Sequence, residues 1–414
     1  MIGRFHLTVI IFVILLLPSL AGAADKGCIE GNCAEGHGVY VWENGEKFSG
    51  SWSNGKKHGF GTLNLEDGSI YKGDFNNGQR TGEGQIVDDE GMVYEGSFEQ
   101  GKKQGHGVAV WADGSKYVGE WQNDKRHGQG VIDYQGVFHY EGDWAFDFWH
   151  GQGDLLRSDG LRYIGQFERG LKSGQGVQTW PDGSKYVGDW KLDKRQGYGI
   201  VHISNGSVYD GEWFQNMYHG QGKLTKANGY SYVGEFQHGV SQGHGTAVWA
   251  DGRKYTGDWQ QGQMHGRGTY HNRSGGVYTG EMKNNSWNGR GRYEYPDGVV
   301  YEGEFVNGYF EGEGVTTWPN GSRFVGSYKR GDKQGYGEWY DHDGEIYKGE
   351  YQKGSRHGKG HLIKTNGEEL IGTWAFGVPH GVGTVILPDG EKLTGVWQLG
   401  EFHADSSIYG SSEI

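Results

Sequence analysis

Only two cysteines and six prolines occur in the 414 residues of this chain. Two thiols with no partner ligands nearby cannot complete a tetrahedral zinc shell, so a zinc-ribbon or zinc-finger organisation is excluded. Apolar residues make up 34% and mean hydropathy is −0.75, too little to fill the two or three ordinary cores that the length would otherwise allow. Cations are also in deficit: 39 Lys and Arg against 52 Asp and Glu give a net charge of −13. Nucleic acid and purely electrostatic binding to anionic lipid both recruit Lys and Arg, and are excluded as principal partners. No HExxH, no Gly-x-Ser-x-Gly nucleophile elbow opening a helix and no kinase signature is present, so those catalytic classes fall away. Helical periodicity is missing as well, and Gly-x-Gly pairs without a following helix do not cradle phosphate. Abundant instead are 81 glycines together with 14% aromatics. Disordered chains are poor in aromatics, so the glycines serve an ordered structure.

The first 23 residues differ from the rest. Arg4 and His6 precede an apolar run from Leu7 to Leu17, then Pro18 and Ala21-Gly22-Ala23. This pattern predicts a secretory signal peptide over 1–23, with the mature chain starting near Ala24. The alternative is an uncleaved membrane anchor, against which the apolar core is short of the ~20 residues needed to span a bilayer. Cleavage removes Arg4, making the mature charge 38 − 52 = −14. The expected location is therefore exported: periplasm, cell surface or secreted. In an oxidising compartment Cys28 and Cys33 can close a disulfide loop within an N-terminal cap over 24–35. The residues before Cys28 do not form a lipobox. Asn205, Asn272, Asn284 and Asn320 head Asn-x-Ser sequons, which are glycan acceptors in a eukaryotic secretory route.

The remainder is one repeat. An aromatic-x-Gly-x-aromatic pattern starts at Phe48, Tyr71, Tyr94, Tyr117 and Tyr140 and continues in steps of 23 residues to Tyr347, with Leu370 and Leu393 closing the series. A Gly-x-Gly pattern keeps the same step from Gly36 to Gly381. Between them lie two kinds of turn: a tight one such as Asp113-Gly114, and a longer one such as Gln122 to His127. Asn-Gly and Asp-Gly flanked by β-prone residues are strong hairpin signals, because those residues accept positive φ. Each repeat therefore reads as two short antiparallel strands, and the fold class as all-β, an elongated, twisted single-layer antiparallel sheet of tandem hairpins. Some 32 strands would extend it on the order of 150 Å. In Tyr117-Val118-Gly119-Glu120-Trp121 the period of two places tyrosine, glycine and tryptophan on one face. Glycine in a strand costs roughly 0.5 to 1 kcal/mol, so rings lying over bare glycine must recover the loss.

Phe48 to Gly61 nearly spells Tyr-x-Gly-x-Trp-x-Asn-Gly-Lys-x-His-Gly-x-Gly, and the array over 36–403 resembles MORN repeats, about 15 to 16 of them. The resemblance implies hairpin repeats for the fold. For function it implies membrane tethers, modules attached to lipid kinases, or cytoskeletal scaffolds. Leu370, Leu393 and Met282 depart from the pattern and predict different packing, or a cap, in the C-terminal repeats.

A superperiod of three repeats spaces Trp42, Trp111, Trp180, Trp249 and Trp318 by 69 residues, as duplication of a three-repeat block would. The longer turn also becomes aromatic in places. Phe146, Phe148 and Trp149, then Tyr218, then Trp287, then Tyr309 and Phe310 form the candidate binding residues. Trp149, Tyr218 and Trp287 would stand about 29 Å apart on one edge of the sheet. The alternative is that these rings fold back over neighbouring strands.

Histidines recur at turn ends, including His127, His150 and His219, but equivalent atoms of adjacent hairpins are ~9.6 Å apart, too far to share a zinc ion. Asp341-His342-Asp343-Gly344-Glu345 lacks the distal glutamate of a calcium loop. The expectation is a non-enzymatic protein with no cofactor and no metal. Three functions compete: a scaffold for a protein partner or for self-association through sheet edges, a phospholipid-associated module, and a glycan-binding surface. A polar tail over 404–414 and the cysteine loop would blunt the two sheet edges.

Overall fold

The computed structural model describes residues 26–398 and 400–405. The expected signal peptide and most of the C-terminal tail lie outside the described residues. Every described element is a β-strand, 34 in all. No helix among the described residues is long and apolar enough to cross a membrane. The described residues divide into two compact units, one ending at Leu171 and the other beginning at Lys172. In each unit consecutive strands pair antiparallel, as in the strands Lys116–Gln122 and Lys125–Tyr134 of the first, and Lys185–Lys191 and Lys194–His202 of the second.

The two turns exchange the lengths expected of them. The one read as longer is a two-residue turn: Asn123 and Asp124 have φ of 53° and 68°, and Gln122 already pairs with Lys125. The one read as tight is wider, with the Trp111 amide donating to the Ser115 carbonyl and the Gly114 amide to the Trp111 carbonyl, both at 2.9 Å. Two consecutive residues with positive φ make the turn whose twist matches that of the strands, so the hairpin closes at the first opportunity. Lys125, Arg126 and His127 thus belong to a strand, and their side chains alternate between faces.

Glycines meet glycines across the strands. In the first unit Gly107 pairs with Gly119, Gly119 with Gly130 and Gly130 with Gly142. In the second, Gly176, Gly188, Gly199 and Gly211 do the same. The bare row is roofed by fully buried tyrosines such as Tyr117 and Tyr186. Each phenol donates to the backbone carbonyl three residues on, Tyr117 to Glu120 at 2.9 Å and Tyr186 to Asp189 at 3.0 Å. The aromatic four residues on meets the ring edge-to-face, as Trp121 does Tyr117 (5.3 Å, 89°) and Trp190 does Tyr186 (5.2 Å, 90°). Such pairs contribute about 0.5–1.5 kcal/mol beyond the area they bury. Among the described residues of each unit no helix and no second layer covers the sheet, so this zigzag of rings is the core.

Each hairpin carries a bulge where a glycine takes positive φ, such as Gly151 (51°) and Gly197 (69°). In several hairpins the amide following the bulge is capped by a carboxylate: Gln152 donates to Asp143 at 2.7 Å, and Tyr198 to Asp189 at 2.8 Å. The acidic column on the outer face is therefore part of the hairpin, as well as a solvating charge.

At the N-terminus the strand Gly27–Gly31 pairs with Gly36–Val41, and Cys28 and Cys33 are joined by a disulfide. At the other end Leu370 is too short to cover the glycine row. The Trp397 ring takes over, lying where a side chain on Gly383 would stand, and Phe402 does the same over Gly395. The C-terminal repeats pack differently for that reason, and Met282 simply fills a tryptophan position, fully buried.

Candidate binding face

Nine residues after each roofing tyrosine or phenylalanine, one side chain per hairpin lies on the outside of the ring zigzag. In the first unit this column is Lys57, Arg80, Lys103, Arg126 and Trp149; in the second it runs Lys172, Arg195, Tyr218, Ser241, Met264, Trp287, Phe310, Lys333 and Arg356, then Pro379 and Phe402. The cations sit over rings: Lys103 Nζ is 4.9 Å from the centroid of Tyr94 and 5.0 Å from that of Trp121, and the Arg195 guanidinium is 4.2 Å from that of Trp213. At four aromatic positions of the column the ring stacks face to face on the roofing residue. Tyr218 lies 3.7 Å from Tyr209 at 14°, Trp287 4.7 Å from Tyr278 at 7°, Phe310 3.7 Å from Tyr301 at 8°, and Trp149 4.9 Å from Tyr140 at 18°. A guanidinium and an aromatic ring are both flat, which lets them exchange at this position.

The seven aromatic residues singled out from the sequence therefore separate. Trp149, Tyr218, Trp287 and Phe310 are half-buried on the aromatic face and are not turn tips. They follow the two-residue turn by an even number of strand positions, and alternation turns them inward. Phe146, Phe148 and Tyr309 are exposed, by 53%, 55% and 57%, and only Phe146 occupies a turn, with φ of 50°.

The arginines of the column are tied to the protein. Arg80 donates to the Gly101 carbonyl at 2.6 Å, Arg126 pairs with Asp147 at 3.1 Å, Arg195 donates to the Asn216 carbonyl at 3.1 Å, and Arg356 pairs with Glu345 at 3.1 Å. Lys333 differs. Its ammonium is 4.6 Å from Phe324, 4.5 Å from Trp339, 5.2 Å from Trp318 and 5.8 Å from Tyr351. Burial, aided by the Arg356 charge, pushes its pKa down to about 8. Burial also lowers Lys57 and Lys103.

The column was missed in the sequence reading, although the signal was present: the second cation of Lys56-Lys57, Lys102-Lys103 and Lys125-Arg126 recurs with the repeat. Three of the five superperiod tryptophans also meet the column. Each of Trp42, Trp180 and Trp318 contributes a ring over the cation 15 residues later, to Lys57, Arg195 and Lys333 at 5.2, 5.8 and 5.2 Å.

In the turn between Tyr340 and Ile346, Asp341, His342 and Asp343 bring ligand atoms within 4.8 Å of one another. The Asp341 carboxylate is already engaged by the Ser322 hydroxyl, at 2.6 Å. That hydrogen bond and those from His342 hold its pKa well below the usual carboxylate range.

The repeat and its geometry define a class, the tandem β-hairpin arrays in which aromatic rings roof a glycine row. The model of the MORN repeat matches fifteen segments from 34–47 through 371–392, with residues 324–346 unmatched, and the chain belongs to the MORN repeat family. No curated protein sequence matches it. Among solved structures, the chain is similar to the TCP domain of Drosophila melanogaster SAS-4 in complex with a proline-rich motif of Ana2. Identity is 15%, covering 45% of this chain and 85% of that one, with a TM-score of 0.24. It is also similar to the TCP10 domain of Danio rerio CPAP in complex with a STIL peptide, at 13% identity over 67% and 96% of the two chains, TM-score 0.15.

Proposed function

We propose that the chain is an exported, non-catalytic scaffold that holds a protein partner on its aromatic face. The observation that carries the reading is the column itself: a large ring or ring-borne cation on most hairpins, on a face over which no second layer packs among the described residues. Tryptophan, tyrosine and arginine on such a surface are the residues that most often anchor protein partners. Export rests on residues 1–23, and the disulfide between Cys28 and Cys33 is compatible with an oxidising compartment.

The test is a crosslinking pull-down from the native envelope or secreted fraction. Wild type is compared with a Trp149→Arg, Tyr218→Arg, Trp287→Arg variant, which installs at those sites the residue type the column uses elsewhere and so preserves the array. Partners captured by wild type and lost in the variant support the reading. An identical catch removes these three rings from the contact, and an empty catch from both removes the protein-scaffold reading. Sequencing the mature N-terminus tests export, with Ala24 expected first.

A second reading, contact with a phospholipid surface, is favoured by apolar turn residues of the second unit, where Leu192 is 63% and Phe376 91% exposed. It predicts co-sedimentation with liposomes that persists at moderate salt and falls on Phe376→Ser.

A further inference from the structure

Arg126 and Lys333 occupy the same place in the superperiod, 207 residues apart. Twenty-one residues beyond Arg126 stands Asp147, its ion-pair partner at 3.1 Å. At the matching distance beyond Arg195 stands Asn216, whose side chain accepts from the Arg195 amide at 2.8 Å. At the matching distance beyond Lys333 stands Gly354, which keeps the backbone contact, its amide donating to the Lys333 carbonyl at 3.0 Å, but has no side chain to offer. Among the described residues Lys333 has no carboxylate within ion-pair distance. The space is a cavity of about 360 Å³ whose walls include Gly354, Tyr295, Phe310, Trp318 and Tyr328.

We propose that Lys333 anchors a carboxylate of an acidic peptide segment lying on the aromatic face of the second unit, with the cavity beside Gly354 receiving the acidic side chain. This rests on the protein-binding reading above and names the chemistry of the partner. The order of side chains along the column sets the complementarity. From Tyr218 to Phe310 the column carries no cation over five hairpins, each ~9.6 Å from the next, and the two residues that follow are Lys333 and Arg356. An extended segment with apolar residues followed by an acidic one matches that order, whereas a uronate polymer, charged at every residue, does not. A phosphate dianion is also a poorer match. Lys333 is the sole cation lining the cavity, Asp297 and Asp332 line it as well, and the hydroxyls of Thr316 and Tyr328 are spent on each other at 2.6 Å. The lowered pKa of Lys333 agrees with an ammonium that lacks a counterion.

The experiment uses the full chain and a random dodecapeptide library displayed on phage, selected in parallel against wild type and Lys333→Met. Wild type is expected to enrich apolar residues followed by Asp or Glu, and Lys333→Met to keep the apolar preference but lose the acidic one. The best acidic peptide is then synthesised with its Glu or Asp and with the corresponding amide. The amide should bind wild type about tenfold or more weaker, the worth of a charge-assisted hydrogen bond, and Lys333→Met nearly equally. Lys333→Arg should retain the preference, and the exposed-site control Lys329→Met should change nothing. Equal acidic enrichment by wild type and Lys333→Met overturns the proposal while leaving the scaffold reading intact. Absence of any enrichment overturns both. Stronger competition by polygalacturonate or inorganic phosphate than by the peptide shows a sugar acid or phosphate to be the ligand, and overturns the peptide assignment. Should Lys333→Met fail to fold, Lys333→Gln serves in its place.

Discussion

Gly130 lies directly beneath the ring of Tyr117: a Cβ on it would stand 2.3 Å from the phenolic oxygen and 2.6 Å from Cε2. The ring cannot retreat without giving up its hydrogen bond to the Glu120 carbonyl and its edge-to-face contact with Trp121. Gly130→Ala is accordingly expected to destabilise the first unit by about 3 kcal/mol, at the upper end for overpacking. Urea unfolding measures it, and a loss below 1 kcal/mol would show that the roof is soft.

The carboxylate caps make a smaller and separable contribution. Asp143→Ala leaves the Gln152 amide without its acceptor, which is worth about 1 kcal/mol at this exposed site. Hydrogen exchange should speed up at Gln152 and its immediate neighbours. Unchanged protection there would mean that water replaces the carboxylate at no cost.

The seven aromatic residues read from the sequence divide into packing and surface classes. Tyr218→Ala removes a face-to-face stack on Tyr209 and an edge contact with Trp213 at 4.9 Å, and is expected to cost about 2 kcal/mol. Phe148→Ala and Tyr309→Ala are expected to stay within about 0.5 kcal/mol. Equal effects in denaturant melts would contradict the division.

Alkali should unfold the array through its roofing tyrosines. Burial pushes Tyr71 up to about 12 and its counterparts, including Tyr94, Tyr117 and Tyr186, higher still. The unfolded chain releases these protons near pH 10 while the fold still holds them. The stabilisation is thus complete below pH 10 and is lost as pH rises toward the folded values. Phe48 and Phe324 occupy the same position without a titratable group. A Tyr71→Phe, Tyr94→Phe, Tyr117→Phe variant should show a shallower loss of stability between pH 10 and 12, and an unchanged slope would place the alkaline transition elsewhere.

The sequence by itself determined the strand, the repeat and the aromatic face. A strict 23-residue phase leaves one way to alternate side chains, and glycines of one parity opposite rings of the same parity admit one packing. Even the altered C-terminal repeats were legible, because leucine at 370 and 393 cannot do what tyrosine does. The placement of Trp149, Tyr218, Trp287 and Phe310 was decided only by tertiary structure. Whether they project from a turn or fold onto the sheet depends on where two successive residues take positive φ, and several residues of that segment are competent to do so. That Lys333 has no ion-pair partner among the described residues was likewise hidden. Gly354, 21 positions away on the next hairpin, offers no side chain where Asp147 offers one to Arg126, and only the hydrogen-bonded register of neighbouring strands brings such residues together.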